Sequence, residues 1–225
     1  NARRISRKIE ERIMLVKHAK EFGNVSTNNT KMGTTTYAID AFACKVGSKL
    51  AKNPNTPCHG CYARKLQKLR PSVDQGWKLN LSKWLQADPK LWSKAMAFQI
   101  NRYNTDGYHR WFDSGDLQSL EMLQAIVEVC ELTPTIKHWL PTQERAMIKQ
   151  FKANGGTVPH NLVIRVSASL LDGDMPSGAD NGSQVFTKGS DPKGFECKAR
   201  HNNNACGPCK ACWTKSVKLV SYPKH

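Results

Sequence analysis

The cysteines constrain this chain more than any other feature. Seven of the eight fall into two groups, Cys44, Cys58 and Cys61 in the first and Cys197, Cys206, Cys209 and Cys212 in the second. The spacings Cys-x2-Cys and Cys-x2-Cys-x2-Cys are typical of metal ligands, because two intervening residues let two thiolates turn onto one ion. Clustered cysteines in a chain of this length favour metal in a reducing compartment over disulfides. We therefore expect one or two metal centres.

The charge of the chain predicts its partner. A net charge of +16 favours a polyanion, most often nucleic acid, over the alternative of a merely well-solvated basic surface. Charge alone does not separate DNA from RNA. The sequence has no apolar run of membrane-spanning length, and its N-terminus lacks the pattern of a signal peptide. These features together predict a cytoplasmic protein.

Apolar periodicity predicts alternating strands and helices. Helices are expected at 3–22, 77–103, 117–132 and 144–152, and strands at 36–43, 108–112, 136–140, 162–168, 184–187 and 217–222. Such alternation implies parallel strands with right-handed crossovers, so the fold class is α/β. Because 225 residues are fewer than an eight-fold barrel usually needs, we expect a partial or open TIM-like (β/α)6 barrel. Residues 1–190 would form a barrel-like catalytic domain with an N-terminal basic helix, and 191–225 a Cys-rich metal knuckle with the final strand.

Two packing predictions follow from the same periodicity. Cys130 falls on the apolar side of helix 117–132, so it is expected to be a buried packing residue. The tryptophans of residues 77–103, namely Trp77, Trp84 and Trp92, are expected to be core or groove walls, with base stacking as the alternative.

Polar residues follow several predicted strands, and parallel architectures collect function at that edge. Asp113 and Asp116, in the string DSGD, are candidate catalytic carboxylates, since paired carboxylates can act as base and nucleophile. Capping of the next helix is the structural alternative for one of them. The candidate substrate-binding side chains at neighbouring strand ends are Thr142, Gln143 and Ser167.

The two cysteine groups suit different metal sites. Cys44, Cys58 and Cys61 suit an iron–sulfur cluster with one open iron, and equally a zinc site completed by His59 or an aspartate. The second group has four thiolates and favours a closed structural zinc site. A second iron–sulfur cluster is the alternative hypothesis.

Longer strings carry a family resemblance. CHGCYA, RWFDSGDLQS, KHWLPTQE and ACGPCKACW resemble the phage gene product 88 family, over most of the chain. The order of motifs is also similar to that of radical S-adenosylmethionine enzymes. That resemblance implies a [4Fe–4S] cluster on Cys44, Cys58 and Cys61. It further implies S-adenosylmethionine bound at Ser114, Gly115 and Asp116, with Tyr62 in the aromatic position beside the last cysteine.

A second resemblance competes with the first. The string DSGDLQ is similar to the DSGGFQ of guanine transglycosylases, which include phage enzymes that insert 7-deazaguanine into DNA. This resemblance implies that Asp113 and Gln118 contact the base and that zinc is the only metal. It leaves the first cysteine group without a role.

The motifs, the charge and the resemblances together predict a phage-type enzyme that modifies nucleic acid, with double-stranded DNA as the expected partner and a small-molecule co-substrate. The radical mechanism is favoured because it accounts for more of the cysteines. The alternatives are the transglycosylase and a zinc-stabilised DNA-binding protein that catalyses no reaction.

Overall fold

The computed structural model describes residues 18–27 and 29–224. Within them the chain forms a mixed α/β fold around a curled, parallel half-barrel sheet. The strands of this sheet are β1 Thr35–Thr36, β2 Tyr108–Arg110, β3 Lys137–Thr142, β4 Leu162–Ser167, β5 Asn181–Phe186, β6 Phe195–Glu196 and β7 Leu219–Pro223. The predicted α/β class and barrel-like curvature are thereby confirmed.

The strand order is β1-β2-β3-β4-β5-β7-β6, so the first five strands follow one another in the chain. Every strand pair in the sheet is parallel, from Thr35 opposite His109 in β1 and β2 to Glu196 opposite Ser221 in β6 and β7. Because the strands are parallel, their carboxyl ends meet at one edge of the sheet. The segments that follow β1, β2, β3 and β4 therefore converge on that edge.

Six α-helices connect or cover these strands within the described residues. They are α1 Lys45–Leu50, α2 Tyr62–Leu69, α3 Pro71–Gln86, α4 Pro89–Tyr103, α5 Leu120–Leu132 and α6 Arg145–Ala153. Prolines open α3 and α4, where the first helical N–H needs no partner. Asp88 and Ser119 cap α4 and α5 by accepting hydrogen bonds from the N–H groups of Leu91 and Met122. None of the helices in the described part of the chain is long and apolar enough to cross a membrane.

The main core lies between the sheet and helices α4 and α5. Tyr37 is fully buried and packs edge-on against Trp92 and Trp111, with ring centroids 5.6 and 5.8 Å apart. Cys130 is completely buried in the same core, as predicted. Five tryptophans are buried, namely Trp84, Trp92, Trp111, Trp139 and Trp213. These five are therefore packing residues, and the stacking alternative does not apply to them.

The C-terminal segment packs on the opposite face of the sheet. Trp139 alternates with Leu140 along β3 and so faces away from the main core, where it packs edge-on against Trp213 at 5.2 Å. Arg165 of β4 is fully buried on this face. Its five N–H groups donate to the carbonyls of Gly182, Ala211, Cys212, Thr214 and Val217 at 2.8–3.2 Å. Because a guanidinium has five donors, all its hydrogen-bonding capacity is satisfied there.

Several element bounds differ from the sequence prediction. The predicted strand 36–43 is only the two residues of β1, followed by a short 3₁₀ turn at Ala41–Ala43. The predicted helix 117–132 begins at Leu120, and β6 had no sequence signal. Most of the predicted helix 3–22 lies outside the described residues. The division into two domains at residue 190 stays a prediction. Strands β6 and β7, which lie beyond residue 190, are hydrogen-bonded into the same sheet as β5.

Candidate functional site

The first cysteine group lies in the segment between β1 and α2. Cys44 immediately precedes α1 and Cys61 immediately precedes α2, so both helices begin at a cysteine. Cys58 lies in the intervening turn, where its carbonyl accepts a hydrogen bond from the N–H of Cys61 at 3.3 Å. Two helix starts and one tight turn thus bring the three cysteines into the same loop region.

Their thiols share one neighbourhood. A Cβ atom added at Gly47 would lie 3.7 Å from Cys58 Sγ and 3.8 Å from Cys44 Sγ, so both sulfurs face the same glycine. Burial, followed by the charges of Cys61 and Asp116, raises the pKa of Cys58 to about 11. Burial also raises the pKa of Cys44, with Asp116 as the second cause. Asp116 therefore lies within electrostatic reach of these thiols.

All eight cysteines lie in the described part of the chain and are free thiols. Within residues 18–27 and 29–224, no three His, Cys, Asp or Glu side chains already stand close enough to hold a metal ion. The thiols are thus gathered into groups without forming a finished coordination site.

Asp116 joins the turn after β2 to the end of β3. Its Oδ1 accepts hydrogen bonds from Thr142 Oγ1 at 2.6 Å and from the Leu117 N–H at 2.8 Å. Its Oδ2 accepts from the Gln143 N–H at 2.8 Å. Burial raises the pKa of Asp116 to about 7, and the three hydrogen bonds oppose that rise. This carboxyl is a buried junction between two strand ends.

Glu144 extends this junction to the cysteines, a role that the sequence prediction missed. It is buried, and its Oε1 accepts a hydrogen bond from the Val46 N–H at 2.9 Å, two residues after Cys44. Its own N–H donates to Thr142 Oγ1 at 2.9 Å. The only signal in the sequence was its place directly after the strand-end pair Thr142-Gln143.

The turn that carries Asp116 is tightly constrained. Gly115 has φ +83°, and a Cβ there would lie 2.2 Å from Ile39 Cγ1, so only glycine fits without a shift. The Ser114 carbonyl accepts a hydrogen bond from the Ile39 N–H at 3.0 Å. Ser114 Oγ is buried and has no hydrogen-bond partner within the described residues. A buried hydroxyl in this state is available to a bound ligand.

Asp113 is held differently from Asp116. Its Oδ1 pairs with Arg110 Nη1 at 3.1 Å, and its Oδ2 accepts from Asn29 Nδ2 at 2.8 Å. The Tyr62 hydroxyl donates to the Asp113 carbonyl at 2.8 Å. Arg110 in turn lies over the Trp139 ring, 4.5 Å from its centroid. Tyr62 and the DSGD turn are therefore in direct contact, whereas the Asp113 carboxylate is occupied by protein partners.

The remaining predicted residues lie at the same edge with varied partners. Gln118 Nε2 donates to the Asp116 carbonyl at 2.8 Å, so this amide is engaged within its own turn. Gln143 has a buried Oε1 with no partner in the described part of the chain. Ser167 Oγ lies 3.0 Å from Ser183 Oγ on β5. Gln143 is thus the better placed of these side chains to meet a ligand.

The second cysteine group lines a cavity of about 130 Å³ against Trp213. All four of its cysteines line that cavity, namely Cys197, Cys206, Cys209 and Cys212. Cys212 Sγ lies 3.1 Å from the Tyr222 hydroxyl, and burial raises the pKa of Cys212 to about 11. The Cys206 N–H donates to the Lys31 carbonyl at 2.7 Å, which fixes this group to the segment before β1.

Comparison with known proteins identifies a family. No curated protein and no solved structure matches the chain. A family model described as Gene product 88 matches residues 17–215, which include both cysteine groups and the DSGD turn. The resemblance to radical S-adenosylmethionine enzymes stays a prediction. On the extent of the family match, the chain belongs to the Gene product 88 family.

Proposed function

We propose that this protein is a phage-type nucleic-acid-modifying enzyme of the radical S-adenosylmethionine kind. The observation that carries the proposal is the shared neighbourhood of Cys44, Cys58, Cys61 and Asp116 beside the carboxyl ends of parallel strands. Active sites of parallel α/β folds lie at this edge. The finer description of the fold as an open TIM-like (β/α)6 barrel belongs to the same proposal.

The thiols of the first cysteine group are ligands of the type that an iron–sulfur cluster requires. Three free cysteines can hold a [4Fe–4S] cluster while one iron stays open to another ligand. Gly47 supports the fit because a Cβ there would crowd Cys44 Cβ at 3.1 Å and would contact the sulfurs of Cys44 and Cys58. We propose that ligation draws the thiols together as they deprotonate, since metal binding commonly completes the local fold. When bound, the cluster would deliver an electron to S-adenosylmethionine and so supply radical chemistry.

The DSGD turn and the end of β3 would position the small molecule. Ser114 Oγ and Gln143 Oε1 are buried polar atoms without partners in the described residues, so a ligand that contacts them would satisfy both. Gly115 allows backbone to approach closely, and Asp116 holds the turn against β3. Tyr62, Thr142 and Ser167 complete the proposed rim for cofactor and base.

We propose a structural zinc ion for the second cysteine group. Four thiols on one small cavity match a closed site in which no position remains for a substrate. Such an ion would hold the C-terminal knuckle, whose backbone already supplies carbonyls to Arg165. Its role would be stability rather than catalysis.

The transglycosylase alternative is less well supported. It requires Asp113 and Gln118 to contact a base, yet the Asp113 carboxylate pairs with Arg110 and the Gln118 amide donates to backbone. It also gives the first cysteine group no role. A metal-stabilised binding protein without chemistry stays an outcome of the test below.

The partner and location are proposed from charge and family. A net charge of +16 favours nucleic acid, with double-stranded DNA as the sequence expectation. A phage-type protein that keeps reduced cysteines would act in the cytoplasm of the infected bacterium.

Metal analysis tests the proposal directly. Protein reconstituted anaerobically with iron and sulfide should turn brown and retain both elements after desalting. Cys58→Ala should lose them, whereas Cys130→Ala, which changes a buried core thiol, should retain them. Colourless wild-type protein that binds only zinc would overturn the radical mechanism.

Zinc content tests the second cysteine group separately. Cys209→Ala should release zinc while iron and sulfide remain bound at the first group. Loss of iron rather than zinc from this variant would mean that the two groups are assigned the wrong way round.

A further inference from the structure

We infer that the surface formed by the 3₁₀ turn at Ala41–Ala43 and helix α2 binds single-stranded nucleic acid by stacking unpaired bases on Phe42. This inference rests on the proposed function and deepens it, because it names the form of nucleic acid that reaches the first cysteine group. It replaces double-stranded DNA as the species in direct contact with this surface.

Charge is the first argument. Between Asp40 and Asp74 the sequence contains seven Lys and Arg residues and no Asp or Glu. Six of these cations are exposed, and Arg64 is half-buried. No ion pair among the described residues engages any of them. Four of the seven, Arg64, Lys65, Lys68 and Arg70, lie on α2 or directly after it. Unpaired cations grouped on one helix attract a polyanion, and phosphate backbones are the commonest one.

Exposed apolar side chains are the second argument. Phe42 is 41% exposed and Tyr62 is 50% exposed. On α2, Tyr62, Leu66 and Leu69 follow helical spacing along the outer side, with Lys65 between them. A surface that bound only phosphates would need cations but no exposed rings. Aromatic rings interleaved with cations are typical of proteins that bind single strands, since every base has a face that can stack.

The exposure of Phe42 is built into the fold. The Phe42 N–H donates to Asp40 Oδ1 at 2.9 Å, and the neighbouring Ala41 N–H donates to Gln67 Oε1 at 2.9 Å. Gln67 is almost completely buried in α2, and its Nε2 donates back to Asp40 Oδ1 at 2.8 Å. The two hydrogen bonds of Gln67 thus fix the turn to the helix. A ring held outward in this way is pre-organised for a partner.

Two cations already lie over the Phe42 ring. The Arg64 guanidinium is 5.1 Å from the ring centre and Lys68 Nζ is 5.7 Å from it, so a base that stacks on Phe42 would contact two cations as well as the ring. The charge of Arg64 opposes the rise that burial causes in the pKa of Cys44 and of Cys58, so Arg64 lies within electrostatic reach of both thiols. The stacking surface therefore continues into the candidate metal centre. Chemistry on a base requires that base to leave its duplex, which fits an unpaired strand here.

Fluorescence anisotropy with labelled homopolymers tests this inference on the full chain. The probes are a dT15 strand, an rU15 strand and a hairpin duplex of the same total length. Wild-type protein should bind at least one single strand more tightly than the hairpin. The two single strands distinguish DNA from RNA.

The decisive variants act on Phe42. Phe42→Ala should weaken single-strand binding by about tenfold or more, whereas Phe42→Trp should retain it, because stacking depends on an aromatic face. Lys68→Ala should weaken binding to single strands and to the hairpin alike, since it removes a phosphate contact. Leu132→Ala and Lys149→Ala change an exposed apolar residue and an exposed cation on α5 and α6, and both should leave binding unchanged.

Two results would overturn the inference. One is unchanged single-strand binding by Phe42→Ala protein that unfolds at the wild-type denaturant concentration. The other is equal weakening of hairpin and single-strand binding by Phe42→Ala, which would indicate contact without stacking. The assay needs neither metal nor turnover. Stacking on Phe42 in a protein that holds no iron would support this surface and contradict the proposed chemistry.

Discussion

The carboxylate of Glu144 accepts a hydrogen bond from the backbone N–H of Val46 at 2.9 Å, across 98 residues of sequence. This contact caps the first turn of α1 from the end of β3. Because Cys44 immediately precedes α1, the contact also fixes the position of the first cysteine relative to the sheet. The candidate metal centre and the strand-end acids are thus one connected structure.

Removal of this cap should destabilise the protein and expose Cys44. Glu144→Ala leaves the Val46 N–H without its acceptor, and we expect a loss of about 1–3 kcal/mol in the free energy of unfolding. Chemical denaturation measures that loss, and the rate of thiol modification at Cys44 should rise. Glu144→Gln keeps a side-chain oxygen and should retain most of the stability. An alanine variant that is as stable as wild type would mean that water replaces the carboxylate without cost.

Gly115 should tolerate no side chain. Alanine there has two costs, the positive φ of +83° and a Cβ placed 2.2 Å from Ile39 Cγ1. Gly155 provides a matched control, because its φ is +81° and an added Cβ meets nothing within 4 Å.

We expect Gly155→Ala to lower the free energy of unfolding by about 1–2 kcal/mol, from backbone strain alone. Gly115→Ala should cost about 1–3 kcal/mol more, because Ile39 must move. Urea denaturation of the two variants gives the difference. Equal losses would show that the contact with Ile39 relaxes freely and that steric fit does not explain the glycine.

Arg165 should determine whether the second cysteine group stays on the sheet. Its guanidinium is buried and donates to five carbonyls, four of them in residues 211–217. Arg165→Met removes all five of these hydrogen bonds from a charged donor, which should cost at least about 3 kcal/mol. Hydrogen exchange of residues 211–217 should accelerate in the variant, while exchange in α5 changes little.

Arg165→Lys separates charge from hydrogen bonding. An ammonium keeps the charge but has three donors and a different shape, so exchange should still accelerate. Full protection of residues 211–217 in the lysine variant would mean that charge alone anchors the segment.

The sequence predicted the parallel α/β sheet because its strands alternate with strongly amphipathic helices. Helix α5 shows this well, since its apolar residues recur at helical steps and Cys130 lies among them in the core. The length of strand β1 was overestimated, because residues 37–39 are buried and apolar but belong to no strand of the sheet. The Tyr37 N–H donates to the Arg110 carbonyl and the Ile39 N–H to the Ser114 carbonyl, but these hydrogen bonds do not continue β1 as a regular strand.

The candidate site was only partly predictable. Cysteine spacing and the DSGD string have local signatures, so Cys58, Cys61 and Asp116 could be selected from sequence. Glu144 could not, because its partner Val46 is remote in the chain and only the strand order brings them together. The stacking role of Phe42 was hidden for a similar reason, since its exposure depends on the buried amide of Gln67.

The buried pair His109 and His138 should make the fold sensitive to acid. They stand opposite each other on β2 and β3, with ring centroids 5.5 Å apart. Burial lowers the pKa of His138 to about 3 and lowers the pKa of His109 well below its usual value. Below about pH 6.5 the unfolded chain therefore takes up protons that the folded chain does not.

The free energy of unfolding should fall as the pH drops from 6.5 toward 4, by up to about 1.4 kcal/mol per pH unit for each histidine. His138→Leu removes one titrating group while Thr133 keeps its hydrogen bond to the Val129 carbonyl, so the slope should flatten. His160→Gln changes an exposed histidine and should leave the slope unchanged. Urea denaturation at pH 7, 6 and 5 measures the three slopes. If His138→Leu were as acid-sensitive as wild type, the loss of stability would arise from carboxylates that become protonated rather than from this pair.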